Sequence, residues 1–302
     1  MSKVSVILPN YNHAVYLAQR IDSILSQSYQ DFELIILDDC SKDDSKTVIE
    51  TYRNHPRVSH IIYNDENSGS TFRQWEKGIA IASGELIWIA ESDDWCEQNL
   101  LKELVYGIEK DPECVVSYCQ SYCIYHTNTI SWVSQHPYLS EIIDGNAFIK
   151  QYMLMNNAIF NASMVLWKKE FYGKISKDFV NYKFCGDWLF WVELAKCGNI
   201  HVSGKVLNYF RKHENDVSGR ATKSGLDIIE TLQILNIIYS ENLINDQDYK
   251  RSLKRQFRNY WSQKSGYDPQ LSATLKKSFQ HSLPDVHYKK LLLSTVWHYL
   301  RR

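Results

Sequence analysis

No stretch of the 302-residue chain approaches the ~18 consecutive apolar residues of a membrane-spanning helix. A secretory signal is also absent, because the first apolar run, Val4 to Leu8, stops at Pro9-Asn10. The seven cysteines are odd in number and form no C-x-x-C pair. That argues against a zinc ribbon or a disulfide framework, and a reducing compartment is the simplest setting. Thirty-four basic residues face 35 acidic ones, for a net charge of −1. The global basic field that nucleic acid would demand is therefore missing. There is no internal repeat and no low-complexity tract. With 44% hydrophobic and 23% charged residues, a disordered or fibrous chain is excluded as well. What remains is a soluble, cytoplasmic protein of one large domain, or one domain with a smaller partner. Aromatics are plentiful, with nine Trp and twenty Tyr. Rings at that density suit a site that stacks ligands, but large cores use them too.

The first ~120 residues alternate between two textures. Val4 to Leu8 and Phe32 to Leu37 are short, nearly continuous apolar runs, as expected of strands covered on both faces. Leu17, Ile21, Ile24 and Leu25 fall on one face of a helix between them. Residues 43–53 read as helix and Ile61 to Tyr63 as a weak third strand. A helix over 70–82 carries Phe72, Trp75 and Ile79, and Leu86 to Ala90 reads as a fourth strand. Leu100, Leu101, Leu104, Val105 and Ile108 mark a further helix, ended by Asp111-Pro112. This alternation predicts an α/β fold with a mostly parallel, doubly wound sheet. The middle, 113–215, is less regular, with strands expected at 115–118 and 206–210 and a helix at 186–197. From about 225 the spacing of Ile228, Leu232, Leu235 and Tyr239 predicts an all-helical segment. The expected division is 1–218 and 225–302.

In an open α/β sheet, ligands bind beyond the carboxyl ends of the strands. Strand one leads into Pro9-Asn10-Tyr11-Asn12-His13, strand two into Asp38-Asp39-Cys40-Ser41, and strand four into Glu91-Ser92-Asp93-Asp94. Any one of these acids could simply cap the helix that follows it. The cluster after strand four is harder to explain that way. Several carboxylates held close together repel one another unless a cation neutralises them. Mg²⁺ or Mn²⁺ would suit such oxygens and leave coordination positions for phosphate. The residues by themselves point to metal-dependent phosphate or diphosphate chemistry.

The segments VSVILPNYNHAVYLAQRIDSILSQSYQDFELIILDDCSKDDS and NDENSGSTFRQWEKGIAIASGELIWIAESDDW resemble the opening and the D-x-D region of family 2 glycosyltransferases of the GT-A fold. FCGDWLFWVELAKCG and YFRKHENDVSG resemble that family's catalytic-base helix and a later R-x-H segment. The likeness spans about residues 3–218 in family order. It implies that Pro9 shapes the donor turn, that Tyr11 packs on a uracil-type ring and that Asp39 accepts the base N–H. Asn67 and Gly69 would let backbone approach the donor, Arg73 would face the diphosphate or base, and Arg211 would pair with the diphosphate. Asp93 would ligate the metal. Glu91, standing where the family has its first Asp, would contact the ribose or a water on the metal. Asp94 would support from behind or cap a helix. His213 is a further candidate near the metal or diphosphate.

The resemblance makes Asp187 the general base of an inverting transfer, which needs a single carboxylate to deprotonate the acceptor hydroxyl. A retaining double displacement would also need a nucleophile, which no motif supplies. The donor would be a nucleotide-diphosphate sugar, UDP-linked first, and the acceptor a hydroxyl of a glycan or lipid-linked sugar in bacterial surface polysaccharide synthesis. A sugar nucleotidyltransferase is an alternative, though the strand-one turn lacks the expected glycine-rich loop. A non-catalytic nucleotide-sugar-binding protein is another, kept open by Glu91.

Residues 250–302 hold twelve Lys or Arg against two acids, Asp268 and Asp285. Together with the stretch KKLLLSTVWHYLRR, this allows either a solvated basic face or peripheral docking on the anionic inner face of the membrane.

Overall fold

A computed structural model describes residues 3–125, 129–212, 224–281, 283 and 286–300. The first half is strand–helix alternation, as the apolar runs require. β1 (Val4–Asn10) and β2 (Phe32–Asp38) are buried along their whole length, so neither face alternates with polar residues. Between them α1 (Ala14–Leu25) buries Leu17, Ile21 and Ile24. α2 (Ser45–Glu50), β3 (Val58–Tyr63), α3 (Thr71–Ile81), β4 (Leu86–Ile89), the two-residue β5 (Trp95–Cys96) and α4 (Leu100–Glu109) complete this half.

The second half adds β6 (Cys114–Tyr125), β7 (Ile130–Val133), β8 (Ser140–Ile143), the short α5 (Gly145–Phe148), β9 (Val165–Lys168), α6 (Gly186–Ala195) and β10 (Asn199–Lys212). All described strands join one sheet, ordered β3-β2-β1-β4-β9-β6-β10-β5, with β7 pairing β6 and β8 pairing β10. Parallel pairing holds for β3, β2, β1 and β4 and again for β6 with β10. β9 lies antiparallel between these groups, against both β4 and β6. The sheet is therefore mixed at its centre, where a mostly parallel one is expected from the alternation. β9 is only four residues long and reads as part of the irregular middle. β10 extends well beyond the expected 206–210, because its polar positions Asn199, His201, Ser203 and Asn208 carry partners that sequence does not display.

The C-terminal helices are α7 (Leu226–Ser240), α8 (Asp246–Gln263), α9 (Pro269–Gln280) and α10 (Tyr288–Leu300). Their buried residues Leu235, Tyr249, Phe257 and Phe279 join the same apolar cluster as the sheet. The tryptophans serve mainly that core: Trp75, Trp88, Trp167 and Trp191 are almost fully buried. Among the described residues, no helix is long and apolar enough to cross a membrane.

Candidate active site

The in-register pairing of β1 with β2 sets Asn10 opposite Asp38, so the two turns that follow are neighbours. Asp38 locks them together. It accepts from Asn10 Nδ2 at 2.7 Å, from Ser41 Oγ at 2.6 Å and from the Ser41 N–H at 3.0 Å. Both turns use a left-handed residue, Asn12 at φ 57° and Cys40 at φ 63°. Tyr11, at the tip of the first turn, is 44% exposed, whereas Pro9 is buried inside β1.

Asp39 faces the loop after β3. It accepts from Asn64 Nδ2 (2.6 Å), the Ser68 N–H (2.9 Å), Ser68 Oγ (2.7 Å) and Gln74 Nε2 (2.9 Å). A carboxylate has about four acceptor sites, so these donors fill it. Asn67 ties the same loop to the Asp39 carbonyl and accepts from the N–H of Gly69, whose φ of 71° suits glycine. Arg73 is exposed at the start of α3 and donates to the Ser68 carbonyl at 3.4 Å.

The acidic turn after β4 divides its carboxylates by burial. Asp94 is 1% exposed and accepts from Asn161 Nδ2 (2.9 Å), Ser163 Oγ (2.7 Å) and the Arg211 N–H (3.0 Å). It staples the turn to β10 and to the segment before β9; it caps no helix. Glu91 and Asp93 are half-buried. Glu91 accepts from Trp75 Nε1 at 3.0 Å, and burial, with Asp93 beside it, pushes its carboxyl up to about 8. Arg211 is 5% exposed, with its guanidinium over the rings of Tyr16 (4.5 Å) and Trp95 (4.4 Å). Its Nε donates to the Asp93 carbonyl at 2.9 Å and another nitrogen donates to Gln19 Oε1 at 2.8 Å. The structure thus uses Arg211 to hold the acidic turn. His13 Nδ1, 2.8 Å from Ser92 Oγ, joins that turn to the one after β1.

Asp187 stands in the first turn of α6. Trp188, Leu189, Phe190, Trp191 and Val192 are all buried, so this helix is apolar all round, as a helix inside a core must be. Asp187 Oδ2 accepts from Asn157 Nδ2 at 3.2 Å, and Oδ1 from the Trp188 N–H at 2.7 Å. Desolvation pushes its carboxyl up to about 7.

Helix α3 joins these pieces. Gln74 holds Asp39, and Trp75, the next residue, holds Glu91. The Trp75 ring packs on Phe190 (5.8 Å) and Trp191 (6.0 Å) of α6. Gly186 permits that approach: a Cβ there would lie 2.4 Å from the Phe179 carbonyl oxygen and 2.5 Å from the Phe72 ring. The segments around 39, 91–94 and 187 are thus joined through two adjacent side chains.

The residue chemistry suits a hard divalent cation. Mg²⁺ and Mn²⁺ sites commonly use one or two carboxylates and leave the rest to phosphate and water. Asp93, in a turn whose neighbouring carboxyls are driven upward by burial and then by its own charge beside them, offers that kind of oxygen. Among the described residues no three His, Cys, Asp or Glu are grouped to hold an ion unaided. His213 lies outside the described residues.

Sequence reasoning missed Asn157, Trp75, Gln74, Asn161 and Ser163. Trp75 reads as one more core aromatic, since its indole N–H has no sequence signature. The other four sit at positions where only the tertiary fold brings a carboxylate.

Residues 5–175 match the model of glycosyl transferase family 2. The chain belongs to this family. It is similar to TuaG of Bacillus subtilis (strain 168), a glycosyltransferase assigned to teichuronic acid biosynthesis, with 27% identity over 73% of this chain and 83% of that protein. It is also similar to the GalNAc(5)-diNAcBac-PP-undecaprenol beta-1,3-glucosyltransferase of Campylobacter jejuni, with 26% identity over 83% of this chain and 79% of that one. The fold matches S. aureus TarS 1–349, whose crystal structure holds UDP-GlcNAc, with a TM-score of 0.66 at 18% identity. That match covers 92% of this chain and 81% of TarS 1–349. This family 2 glycosyltransferase therefore shares the GT-A architecture of its structural neighbours.

Proposed function

We propose that this glycosyltransferase is inverting and metal-dependent. It moves a sugar from a nucleotide-diphosphate sugar, UDP-linked, to a hydroxyl of a glycan or lipid-linked acceptor in bacterial surface polysaccharide synthesis. The observation that carries this reading is Asp187, a carboxylate desolvated to a pKa of about 7 at the head of a helix joined through Trp75 to the acidic turn. A group poised near neutrality can take a proton and still be regenerated at physiological pH.

In this reading Tyr11 forms the wall for the base on a turn that Pro9 shapes, with Asn67 on the facing loop and Arg73 at the start of α3. Asp39 holds that loop and meets the base N–H by exchanging one of its side-chain donors. Glu91 faces the ribose. Asp93 would hold Mn²⁺ or Mg²⁺, which would neutralise charge on the departing diphosphate. Arg211 keeps the turn in place through the Asp93 carbonyl and sets a fixed positive charge behind it. Asp187 takes the acceptor proton as the hydroxyl oxygen attacks the anomeric carbon from the face opposite the diphosphate. The UDP-GlcNAc bound by TarS supports a UDP-linked donor, and the undecaprenol-linked substrate of the C. jejuni relative supports a lipid-linked acceptor.

The test is stabilisation and turnover with a panel of UDP-, GDP- and dTDP-sugars in Mn²⁺. A UDP-sugar should raise the melting temperature in a metal-dependent way and be slowly hydrolysed. Stabilisation by none of them would overturn the reading, and diphosphate release from a nucleoside triphosphate and a sugar phosphate would point to a nucleotidyltransferase.

The same reading places the protein in the cytoplasm, at the inner face of the membrane. Helix α10 exposes Leu293, Val296 and Trp297 on one side, one turn after Lys289 and Lys290. An apolar stripe beside basic residues suits an anionic bilayer surface. Wild type should sediment with phosphatidylglycerol vesicles, and a Leu293→Glu/Trp297→Glu variant should not. Equal sedimentation would discard the membrane contact.

A further inference from the structure

A cavity of about 320 Å³ opens beside the base and belongs to none of the donor-side residues. Its walls are amides and rings: Gln120, Gln151, Asn156 and Asn157 with Tyr118, Tyr152 and Phe160. Among the described residues, no Lys, Arg, Asp or Glu lines it. Asn157 belongs to the cavity and also donates to Asp187 Oδ2, so a single side chain joins the space to the base.

We propose that this cavity is the acceptor subsite and that it takes an uncharged glycosyl residue. The proposal rests on the transfer reading above and extends it to the second substrate. Carboxamides offer paired donors and acceptors, which match the vicinal hydroxyls of a sugar. Aromatic faces match its C–H faces, and Trp132, 42% exposed with its ring 4.7 Å from Phe160, extends that wall outward. Among the described lining residues no cationic Lys or Arg meets an anionic sugar, whose desolvation is costly. The one imidazole here, His136, has Nε2 3.0 Å from Glu141 Oε2, and the Tyr152 hydroxyl donates to the same carboxylate at 3.2 Å. The Tyr152–Glu141 hydrogen bond fixes the shape of that part of the wall.

A second group of contacts holds the cavity from the C-terminal segment. Ser252 Oγ donates to the Leu154 carbonyl (2.7 Å), Gln256 Nε2 to the Met155 carbonyl (3.4 Å) and Arg255 to Asn156 Oδ1 (2.9 Å). Helix α8 thus sets the edge of the subsite. A neighbouring cavity of about 700 Å³ shares Gln151 and Met155 with the first and gives the remainder of a chain-like acceptor a way out. With the sugar seated, its hydroxyl passes the proton to Asp187 while its oxygen bonds to the anomeric carbon. The bond from that carbon to the diphosphate breaks, and the diphosphate leaves with the electron pair.

The experiment uses the full-length protein with UDP and Mn²⁺, and saturation-transfer NMR with cellobiose, N,N′-diacetylchitobiose and, as charged controls, glucuronic acid and glucose 6-phosphate. The neutral sugars should give saturable signals that Gln151→Ala and Ala158→Trp each weaken at least tenfold, while calorimetry shows UDP binding unchanged. Unweakened signals in both variants would overturn the assignment, as would preference for the charged controls or no neutral signal in wild type. Failure of wild type to bind UDP or GDP would instead refute the donor reading, which separates the two failures.

Discussion

Two pairs of adjacent acids show how much work a neighbouring residue can shift. Asp38 and Asp94 are consumed by internal donors and hold their turns, whereas Asp93 and Glu91 stand half-buried. The motifs made these positions legible as a group, but which of the acids internal donors consume depends on partners such as Asn10, Asn161 and Ser163. Asp39 is the sharpest case: it reads as a ligand contact, and its oxygens are occupied by the 64–74 loop. For Asp93, alanine should abolish metal-dependent UDP binding in calorimetry, and unchanged binding with metal present would remove it as ligand. For Asp187, asparagine keeps the shape and the Asn157 neighbour but cannot accept a proton. Transfer should fall by more than a hundredfold with UDP binding nearly intact. Persistence within about tenfold, roughly 1.4 kcal/mol, would place the base elsewhere. The pH profile follows from the raised pKa. The base must be ionised, so the rate should plateau above about pH 7 and drop tenfold per unit below it. A rate flat down to pH 5 would contradict that role.

Among the elements, α3 has the widest reach. Its sequence shows an amphipathic helix bearing Phe72, Trp75 and Ile79, and that much is legible. That Gln74 and Trp75 reach two different carboxylates is not, because both contacts cross more than fifteen residues of chain. Strand β9 was unreadable for a similar reason: four residues carry too little period to separate from a loop, and its antiparallel place is fixed by β4 and β6. The α3–α6 contact can be tested at Gly186. Adding one methyl forces it against a carbonyl oxygen and the Phe72 ring. Gly186→Ala should cost about 1–3 kcal/mol in urea unfolding, as overpacking usually does. It should also lower transfer beyond any change in UDP binding, since it displaces Asp187. Wild-type stability and rate in that variant would show that the two helices are not closely coupled.

Across the whole molecule the two edges of the sheet carry opposite electrostatics. At the carboxyl edge, burial and crowding push Glu91 and Asp187 upward. At the other edge Glu33 is buried too, yet it accepts from Ser5 Oγ (2.6 Å), the Ser83 N–H (2.8 Å) and Ser83 Oγ (2.7 Å). Desolvation alone would raise its carboxyl, but these three donors outweigh it and hold it down at about 2. The contrast is one of balance: at Glu91 and Asp187 burial outweighs the donors they have, whereas at Glu33 the donors outweigh burial and join β1, β2 and the turn before β4. Neither condition shows in the sequence, where Glu33 is one acid in an apolar run. Because its pKa is lower in the folded state than in the unfolded chain, near 4.3, ionised Glu33 stabilises the fold above that value. The contribution disappears as pH falls toward 2. Glu33→Gln keeps an oxygen that can accept these bonds but removes the charge that strengthens them, so it should cost about 1–3 kcal/mol at pH 7. The gap between variant and wild type in urea melts should narrow steadily from pH 4.5 to pH 2.5. A gap that stays constant over that range would mean the loss comes from packing and that the three donors do not hold an ionised carboxylate.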